Sequence, residues 1–216
     1  MKEYKLPIGC DVPETIILAD GDFPSHPLAL EWLRQCPYVV CCDGAANTYI
    51  RSGRMPEAIV GDGDSLLPDI KERYASLIHS EAEQETNDLS KAFRFCLSQE
   101  RKRITIMGAT GKREDHTIGN VSLLADYMEQ AEVSMMTDYG IFVPIREDSM
   151  FESYIGQQIS VFNMNSTALS AEGLAYPLSV FTNWWQGTLN EALARHFIIR
   201  TEGKVLVFRV GTVSYT

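Results

Sequence analysis

The sequence has few cysteines, no long apolar run and no paired metal-binding cysteines. Its five cysteines are an odd number and none is spaced as Cys-x-x-Cys, which argues against a disulfide framework and against a zinc site. No apolar stretch approaches the roughly 20 residues that a membrane span requires. Residues 1–7 carry charges where a signal peptide has its apolar core. We therefore expect reduced thiols, a cytoplasmic location and no membrane partner.

Positive charge is also scarce. The chain has 19 Lys and Arg against 29 Asp and Glu, a formal net charge of -10 over 216 residues. Nucleic acids and anionic membranes are bound by basic surfaces, so neither is an expected partner. A small phosphate-bearing substrate is still compatible with this charge, because metal ions and a few local cations can offset the repulsion.

Two common nucleotide-binding motifs are absent. In the glycine-rich stretch that begins at Gly108, the second glycine, Gly111, comes too early for a Walker A motif, and Arg113 follows Lys112 where that motif has Ser or Thr. The dinucleotide fingerprint, which should follow the first strand, does not appear there. Any nucleotide site in this chain must be built in another way.

What the chain does contain, up to about residue 138, is an alternation of apolar runs and helical patterns. Strands are predicted at Thr15–Ala19, Tyr38–Cys42, Ala58–Val60, Leu77–His79, Arg103–Met107 and Val133–Met136. Helices are predicted at Pro27–Gln35, just before Gly53, and at Pro68–Tyr74, Asn87–Gln99 and Asp115–Met128. Such alternation is typical of a parallel sheet covered by helices on both faces.

After about Asp138 the pattern changes to short strands separated by Gly, Asn, Ser and Pro. These strands are predicted at Ile141–Val143, Gln158–Phe162, His196–Arg200 and Val205–Val210. We therefore predict an α/β chain of two domains, a parallel-sheet domain over residues 1–138 and a small antiparallel β domain over 139–216. A domain as small as the second seldom folds alone, so we expect it to lean on the first domain or on another subunit.

Four polar clusters fall at or just after strands of the first region. They are Asp43-Gly44-Ala45-Ala46-Asn47, Gly61-Asp62-Gly63-Asp64-Ser65, Asn87-Asp88-Leu89-Ser90-Lys91, and Gly108 through His116. The carboxyl ends of parallel strands share one edge of a sheet, so these clusters can converge on one ligand. Each has an ordinary alternative as a turn, a helix cap or a glycine loop. Four such coincidences at one edge are less expected than one site.

The residue types in these clusters suit a metal and phosphate groups. Hard oxygen ligands for one or two Mg²⁺ ions are offered by Asp43, Asp62, Asp64 and Asp88. Lys91 and Arg113 offer positive charge to phosphate oxygens, although Lys91 could instead form a surface ion pair with Asp88.

The glycine-rich loop adds two further features. Backbone N–H groups of Gly108–Gly111, near a helix N-terminus, could cradle phosphates. His116 beside Asp115 could orient a substrate or a water, or could serve only as a cap or packing residue.

Taken in order, these motifs resemble those of the thiamin pyrophosphokinases. The resemblance rests on the four clusters, on Asn120 after the last of them, and on Glu172 through Leu178 and Gly187-Thr188-Leu189-Asn190 in the second region. It implies a Rossmann-like nucleotide-binding α/β domain followed by a β-sandwich domain, assembled as a homodimer with each thiamin site at the subunit interface. It also implies transfer of a pyrophosphoryl group from ATP to the hydroxyethyl arm of thiamin, with Mg²⁺, giving thiamin diphosphate and AMP.

Residue chemistry and the resemblance together suggest roles. Catalytic roles are expected of Asp62, Asp64, Asp88, Lys91, Arg113 and Asp115. Contacts with ATP or thiamin are expected of Asp43, Asn47, Ser65, Gly108, Gly111, His116, Tyr176, Trp184, Trp185, Thr188 and Asn190. Either Asp115 or a metal-polarised carboxylate could take the hydroxyl proton of thiamin.

Flat, cationic thiamin suits an aromatic face, and the second region offers three. Tyr176, Trp184 and Trp185 could stack on it, with hydrogen bonds from Thr188 and Asn190. The adjacent tryptophans could instead form a dimer contact.

Several positions depart from the family pattern. Glycine at 63 replaces an aromatic residue and is expected to loosen its loop. The other departures are Asn87 for Thr, Lys112 for a second glycine, Tyr176 for Trp and Leu189 for Ser.

Two other functions fit parts of the pattern. An Asp-x-Asp motif also holds a metal on the diphosphate of nucleotide-sugar transferases, but such an enzyme does not account for Asp88-x-x-Lys91 or for the later Arg-Glu-Asp-His string. A non-catalytic protein that binds nucleotide and thiamin is the alternative from a different class. Formation of AMP that depends on both thiamin and Mg²⁺ separates the three.

Overall fold

The computed structural model of the chain describes residues 1–7, 9–80 and 85–211. The strands within these ranges are β1 (Lys2–Tyr4), β2 (Thr15–Leu18), β3 (Val39–Cys42), β4 (Ala58–Gly61), β5 (Ile78–Ser80), β6 (Arg103–Met107), β7 (Glu132–Thr137), β8 (Gly140–Ile145), β9 (Ser149–Glu152), β10 (Gln158–Asn163), β11 (Leu169–Glu172), β12 (Asn190–Glu191), β13 (His196–Thr201) and β14 (Val205–Val210). The helices are α1 (Pro27–Gln35), α2 (Ala45–Arg51), α3 (Pro68–Arg73), α4 (Asp88–Ser98) and α5 (Glu114–Tyr127), with 3₁₀ turns at Ala75–Leu77 and Trp184–Gly187. None of the helices in the described ranges combines the length and the apolar character needed to cross a membrane.

Ten of these strands form one sheet, in the order β12-β10-β14-β8-β7-β6-β2-β3-β4-β5. The six strands from β7 to β5 run parallel, as their apolar runs predict. In the centre, Ile17 of β2 lies opposite Val40 on one side and Ile106 on the other, and all three are fully buried. Burial on both faces explains the continuous apolar runs Ile16–Leu18 in β2 and Val39–Cys42 in β3.

The large sheet continues past the predicted domain boundary. Strand β8 turns back tightly from β7, with Thr137 opposite Gly140, and pairs antiparallel with it. Strands β14, β10 and β12 extend the same sheet. The α/β fold is confirmed, but the parallel and antiparallel strands share one mixed sheet where the sequence pattern suggests two.

A second sheet has four strands in the order β1-β9-β13-β11. The Phe151 ring stacks on Tyr4 and on Phe197, at centroid distances of 4.8 and 5.0 Å. On the large sheet, the guanidinium of Arg209 in β14 lies 5.2 Å from the Phe151 ring centre. Strand β1 therefore belongs with strands of the second region, although it lies at the start of the chain.

Helix α4 is placed by one apolar face. Leu89, Phe93 and Cys96 are buried in a cluster with residues of β3 and β4. At its start the Asn87 side chain accepts a hydrogen bond from the Ser90 N–H at 2.9 Å, a normal N-cap. This packing brings the first turn of α4 to the edge of the sheet where β3 and β4 end.

Strand order changes direction between β2 and β6, which makes their carboxyl ends the expected ligand crevice. The loops that follow them are joined: the Gly21 N–H donates to the Gly108 carbonyl at 2.6 Å, and the Asp22 N–H to the Thr110 carbonyl at 2.8 Å. A Cβ on Gly21 would lie 2.3 Å from the Thr110 oxygen. Only glycine allows the loops to approach this closely.

Candidate active site

Three of the four predicted metal ligands lie together at this edge. Asp43 directly follows β3, and Asp62 and Asp64 follow β4, its neighbour in the sheet. One carboxylate oxygen from each lies within 4.8 Å of the others. Octahedral Mg²⁺ with ligands at about 2.1 Å places opposite ligands roughly 4.2 Å apart, so the spacing is close to what the ion requires.

Backbone geometry brings these carboxylates together. A Cβ on Gly61 would lie 2.7 Å from the Cβ of Asp43, so glycine is needed where the two strands end. Asp43 has a φ of 31°, a conformation that costs a non-glycine residue about 1–3 kcal/mol. Such strain persists where surrounding structure holds it, and it is concentrated at functional sites.

The loop that carries Asp62 and Asp64 is held, although Gly63 was expected to loosen it. The Lys71 ammonium donates to the Gly63 carbonyl at 2.7 Å. The Asn47 amide donates to the Ser65 carbonyl at 2.8 Å and accepts from the Leu67 N–H at 3.0 Å. Asn47, expected to contact ligand, thus uses both ends of its amide to position the acidic loop.

Ser65 orients two of the carboxylates. Its N–H donates to Asp43 Oδ2 at 3.1 Å, and its hydroxyl donates to Asp64 Oδ1 at 2.9 Å. Hydrogen bonding from Ser65 is the main reason that the pKa of Asp64 lies below its usual value. Asp64 is therefore ionised and ready to accept a cation.

Within the cluster, the ionised form of Asp43 is disfavoured. Its side chain is 3% exposed, and its Oδ1 has no hydrogen-bond partner within the described residues. Burial, with smaller contributions from neighbouring carboxyl groups such as Asp88, raises the pKa of Asp43 to about 6. A divalent cation would give the orphaned oxygen a partner and offset the repulsion, so the residues present fit Mg²⁺.

Asp88 is not part of this three-residue group. It lies in the first turn of α4, where its Oδ1 is 3.1 Å from the Lys91 ammonium. The Lys91 side chain is 5% exposed and that of Asp88 is 36% exposed. The ammonium is therefore buried, so this is not the exposed ion pair that was the alternative interpretation of the spacing.

An open cleft of about 410 Å³ lies beside the cluster, between the first turns of α4 and α5 and the loops after β2 and β6. Asp20, Asp88 and His116 are among its lining residues. Gly108 and Gly111 have φ angles of 64° and 78°, which let the loop turn across the start of α5. The arrangement suits a phosphate chain with backbone N–H groups at one side and carboxylates at the other.

Two predicted catalytic groups bind each other at this cleft. Arg113 contacts Asp115 through both Nε, at 3.1 Å, and Nη2, at 2.6 Å. This hydrogen bonding is the main cause of the lowered pKa of Asp115. His116 is exposed, and its backbone N–H donates to Asp115 Oδ1 at 3.0 Å.

The predicted aromatic residues lie far along the chain, on an exposed segment beside β10. Tyr176, Trp184 and Trp185 are 64%, 42% and 73% exposed. The Trp184 ring meets Phe162 of β10 edge-on, with centroids 6.0 Å apart. Two of these three rings therefore offer most of their surface to a ligand or a subunit.

Thr188 and Asn190, which are predicted to bind thiamin, form hydrogen bonds within this segment. The Asn190 amide accepts from the Tyr176 N–H at 3.0 Å and donates to the Tyr176 carbonyl at 2.8 Å. The Thr188 hydroxyl donates to the Trp185 carbonyl at 2.7 Å. Both residues bond to the backbone that carries the aromatic side chains.

Two family models match the chain. The model described as "Thiamin pyrophosphokinase, catalytic domain" matches residues 29–136, half of the chain, and "Thiamin pyrophosphokinase, substrate-binding domain" matches residues 140–208. The chain belongs to the thiamin pyrophosphokinase family. The acidic cluster lies within the catalytic-domain match, and the aromatic segment within the substrate-binding match.

Curated thiamin pyrophosphokinases are similar over part of their length. Thiamine pyrophosphokinase 1 of Oryza sativa subsp. japonica is 30% identical over 129 residues, which cover 48% of this chain and 49% of the relative. Thiamine pyrophosphokinase of Bacillus subtilis (strain 168) is 34% identical over 86 residues, covering 38% and 40%. The matched region thus spans about half the length, or less, of these relatives.

Solved structures of the same family share the fold over nearly the whole chain. Thiamin pyrophosphokinase from Candida albicans superposes with a TM-score of 0.79 at 18% identity, covering 97% of this chain and 92% of that one. The enzyme from Bacillus subtilis gives a TM-score of 0.77 at 20% identity, covering 93% and 100%. At these identities the likeness establishes the α/β fold with its mixed sheet.

The thiamin pyrophosphokinase motifs did not point to Asp20, which the structure places in the cleft. Its carboxylate Oδ2 would be 2.6 Å from a Cβ on Gly44, next to Asp43. The signal was present in the sequence, because Asp20-Gly21-Asp22 follows a predicted strand as the other clusters do. Two hydrogen bonds that the sequence did not predict link α4 to the glycine loop. Asn87 Nδ2 donates to Asn120 Oδ1 at 3.1 Å, and Asn120 Nδ2 donates to the Ala109 carbonyl at 2.9 Å.

Proposed function

We propose that this member of the family transfers a pyrophosphoryl group from ATP to the hydroxyethyl oxygen of thiamin, giving thiamin diphosphate and AMP. The observation that carries the proposal is the meeting of Asp43, Asp62 and Asp64 beside a glycine-loop cleft, in a chain that matches both family models. The bond that forms joins the thiamin oxygen to the β-phosphorus of ATP. The bond that breaks joins that phosphorus to the oxygen that leaves on AMP, and the hydroxyl proton passes to a carboxylate.

The acidic cluster is proposed to hold Mg²⁺. Asp43, Asp62 and Asp64 supply carboxylate oxygens only, the ligand type that Mg²⁺ prefers, and Asp88 extends the acidic set on the side of the cleft. When bound, the ion would neutralise charge as it develops on the phosphate oxygens. The Lys91 ammonium, which lies 3.1 Å from Asp88 Oδ1, would bind phosphate oxygens.

Arg113 and Asp115 are proposed to separate when ATP binds. The guanidinium would exchange the carboxylate for phosphate oxygens, which it can also bind with both arms. Asp115 would then lose the two hydrogen bonds from Arg113, which are the main cause of its lowered pKa, and become a stronger base for the thiamin hydroxyl. The lowered pKa in the free protein is thus consistent with the base being assembled by the nucleotide.

The decisive experiment measures AMP and thiamin diphosphate by chromatography in reactions that each omit ATP, thiamin or Mg²⁺. We expect equal amounts of the two products, formed only when all three components are present. AMP or another nucleotide product that forms without thiamin would favour a different transferase. Binding of both ligands without any AMP would favour the non-catalytic alternative.

We propose that residues 1–138 form the ATP- and Mg²⁺-binding domain and residues 139–216 a thiamin-binding β-sandwich that also mediates dimerisation.

The distance across the sheet supports a site shared by two subunits. Trp184 packs on β10, six inter-strand spacings from β3, which at about 4.8 Å each is roughly 29 Å from the acidic cluster. Thiamin is far shorter than this, so the aromatic residues and the carboxylates that serve one thiamin would come from two copies of the chain.

Mixing two defective variants tests the shared site. Asp64→Asn and the double variant Trp184→Ala, Trp185→Ala should each be weakly active at low thiamin concentration, and hybrids formed by subunit exchange should regain activity because one site per dimer is intact. Recovery is measured after exchange has been verified by mass spectrometry of the dimer. A monomer in sedimentation, or verified hybrids without recovery, would contradict the proposal.

Aromatic stacking predicts an effect on thiamin affinity alone. Replacing both Trp184 and Trp185 with alanine should raise the KM for thiamin by about 10-fold, as expected for a lost cation–π contact, with the KM for ATP little changed. Tyr139→Ala, which removes another exposed aromatic ring at the β7–β8 turn, is the matched control. If the double variant keeps the wild-type KM for thiamin, the stacking role passes to Tyr176.

A further inference from the structure

Lys112 has a backbone conformation and a side-chain contact that the proposed mechanism does not use. Its φ is 55°, a left-handed conformation that disfavours residues other than glycine. Its ammonium lies 2.8 Å from the Asp20 carbonyl oxygen and 3.1 Å from Asp20 Oδ1. A lysine is thus held at a position that glycine would occupy with less strain, and its charge is directed across the mouth of the crevice.

The ammonium lies between the two parts of the candidate site. Lys112 ends the glycine-rich loop and lines the cleft, as does Asp20. The other carboxylate oxygen of Asp20, Oδ2, lies against Gly44 in the turn that carries Asp43. A phosphate chain that runs from the glycine loop to the acidic cluster would pass this ammonium.

The Asp20–Lys112 contact is not needed to hold the two loops together. The loops after β2 and β6 are already joined by the Gly21–Gly108 and Asp22–Thr110 backbone hydrogen bonds, at 2.6 and 2.8 Å. The side chains of Lys112 and Asp20 are also 53% and 47% exposed, and ion pairs in such surroundings contribute little to stability. A purely structural role therefore explains neither the strained lysine nor its placement.

We propose that Lys112 is a further nucleotide-binding residue: in the free protein Asp20 holds its ammonium in the cleft, and on binding of ATP the ammonium transfers to non-bridging phosphate oxygens. This rests on the proposed function, since it takes ATP as the ligand. An ammonium on a flexible four-carbon stem can make this exchange without movement of the loop. A triphosphate carries more negative charge than one carboxylate and therefore binds the ammonium more strongly than Asp20 does. Asp20 is then a positioning residue that competes with the nucleotide for the same cation.

Calorimetric ATP binding to four variants tests the proposal independently of turnover. Lys112→Ala and Lys112→Gly should both raise the Kd for ATP by about 10-fold, the loss expected for one charge-assisted hydrogen bond. Asp20→Asn should instead lower the Kd, because the ammonium is released and the cleft loses a negative charge. Glu100→Gly is the matched control, since Glu100 also has a positive φ, of 59°, but lies at the opposite end of α4; its Kd should equal that of the wild type.

Comparing the variants shows whether ATP affinity depends on the charge of Lys112, on its backbone conformation or on its contact with Asp20. An unchanged Kd in Lys112→Ala would overturn the proposal. So would normal binding by Lys112→Gly alongside weak binding by Lys112→Ala, because the backbone would then be responsible. Weaker binding by Asp20→Asn, equal to that of Lys112→Ala, would show that the pair serves only as a latch and would also overturn it. A wild-type protein that binds ATP but transfers nothing to thiamin would refute the proposed function and leave this inference standing.

Discussion

Replacing Asp64 with asparagine is expected to lower kcat by about 10²- to 10³-fold, the range observed when one group that stabilises transition-state charge is removed. Asp64 is exposed and its pKa is lowered, so it carries a full negative charge, and its side chain accepts a hydrogen bond from the Ser65 hydroxyl. Asparagine keeps the size and one oxygen but removes the charge that would hold Mg²⁺. Asp62→Asn should behave alike, because both carboxylates belong to the same cluster.

The comparison needs an acidic residue nearby that lies outside the cluster. Glu72→Gln serves, since Glu72 is exposed on α3, which follows the acidic loop directly. Steady-state kinetics at several Mg²⁺ concentrations, with thermal unfolding as the check on folding, should show a loss in the two aspartate variants alone. Near-normal turnover in both Asp62→Asn and Asp64→Asn would remove the metal assignment.

Much of the parallel half of the fold can be predicted from sequence because its strands are buried on both faces. The run Ile16–Leu18 has no polar residue to obscure the signal, and α1 begins at Pro27 and ends at Gln35 as its spacing predicts. Strands β1, β9, β11 and β12 were not predicted. They are two to four residues long, and the burial of β9 and β11 alternates only because of the partners they find in the folded chain.

The site shows a similar division. Position along the sheet edge was enough to bring Asp43, Asp62 and Asp64 together, because β3 and β4 are neighbours. The detailed partners were not predictable, because they depend on side-chain directions that no spacing encodes. Asn47 and Asn190 are predicted to contact ligands, and the sequence did not indicate that their amides also bond to the backbone of neighbouring segments.

Asp43 should show opposite effects on stability and on activity. In the folded protein its pKa is raised from 3.8 to about 6, so its ionised form is disfavoured by burial and by neighbouring carboxylates. Between about pH 4 and 6 the folded state keeps a proton that the unfolded state releases, and the contribution of this group to stability therefore falls as pH rises through that window. Above pH 6 the charged carboxylate destabilises the metal-free fold in full.

Asp43→Asn removes this charge and leaves an oxygen to accept from the Ser65 N–H. We expect the variant to be more stable than the wild type by about 1–2 kcal/mol at pH 8 in EDTA, a Tm increase of roughly 2–8 °C, and to lose most of its transferase activity. At pH 4.5 the wild-type carboxyl is protonated, so the difference should largely disappear. Saturating Mg²⁺ should also reduce the difference, because the ion stabilises only the protein that binds it. Calorimetric unfolding under these three conditions checks the account, and a variant less stable than wild type at pH 8 in EDTA would show that Asp43 supports the fold and not a cation.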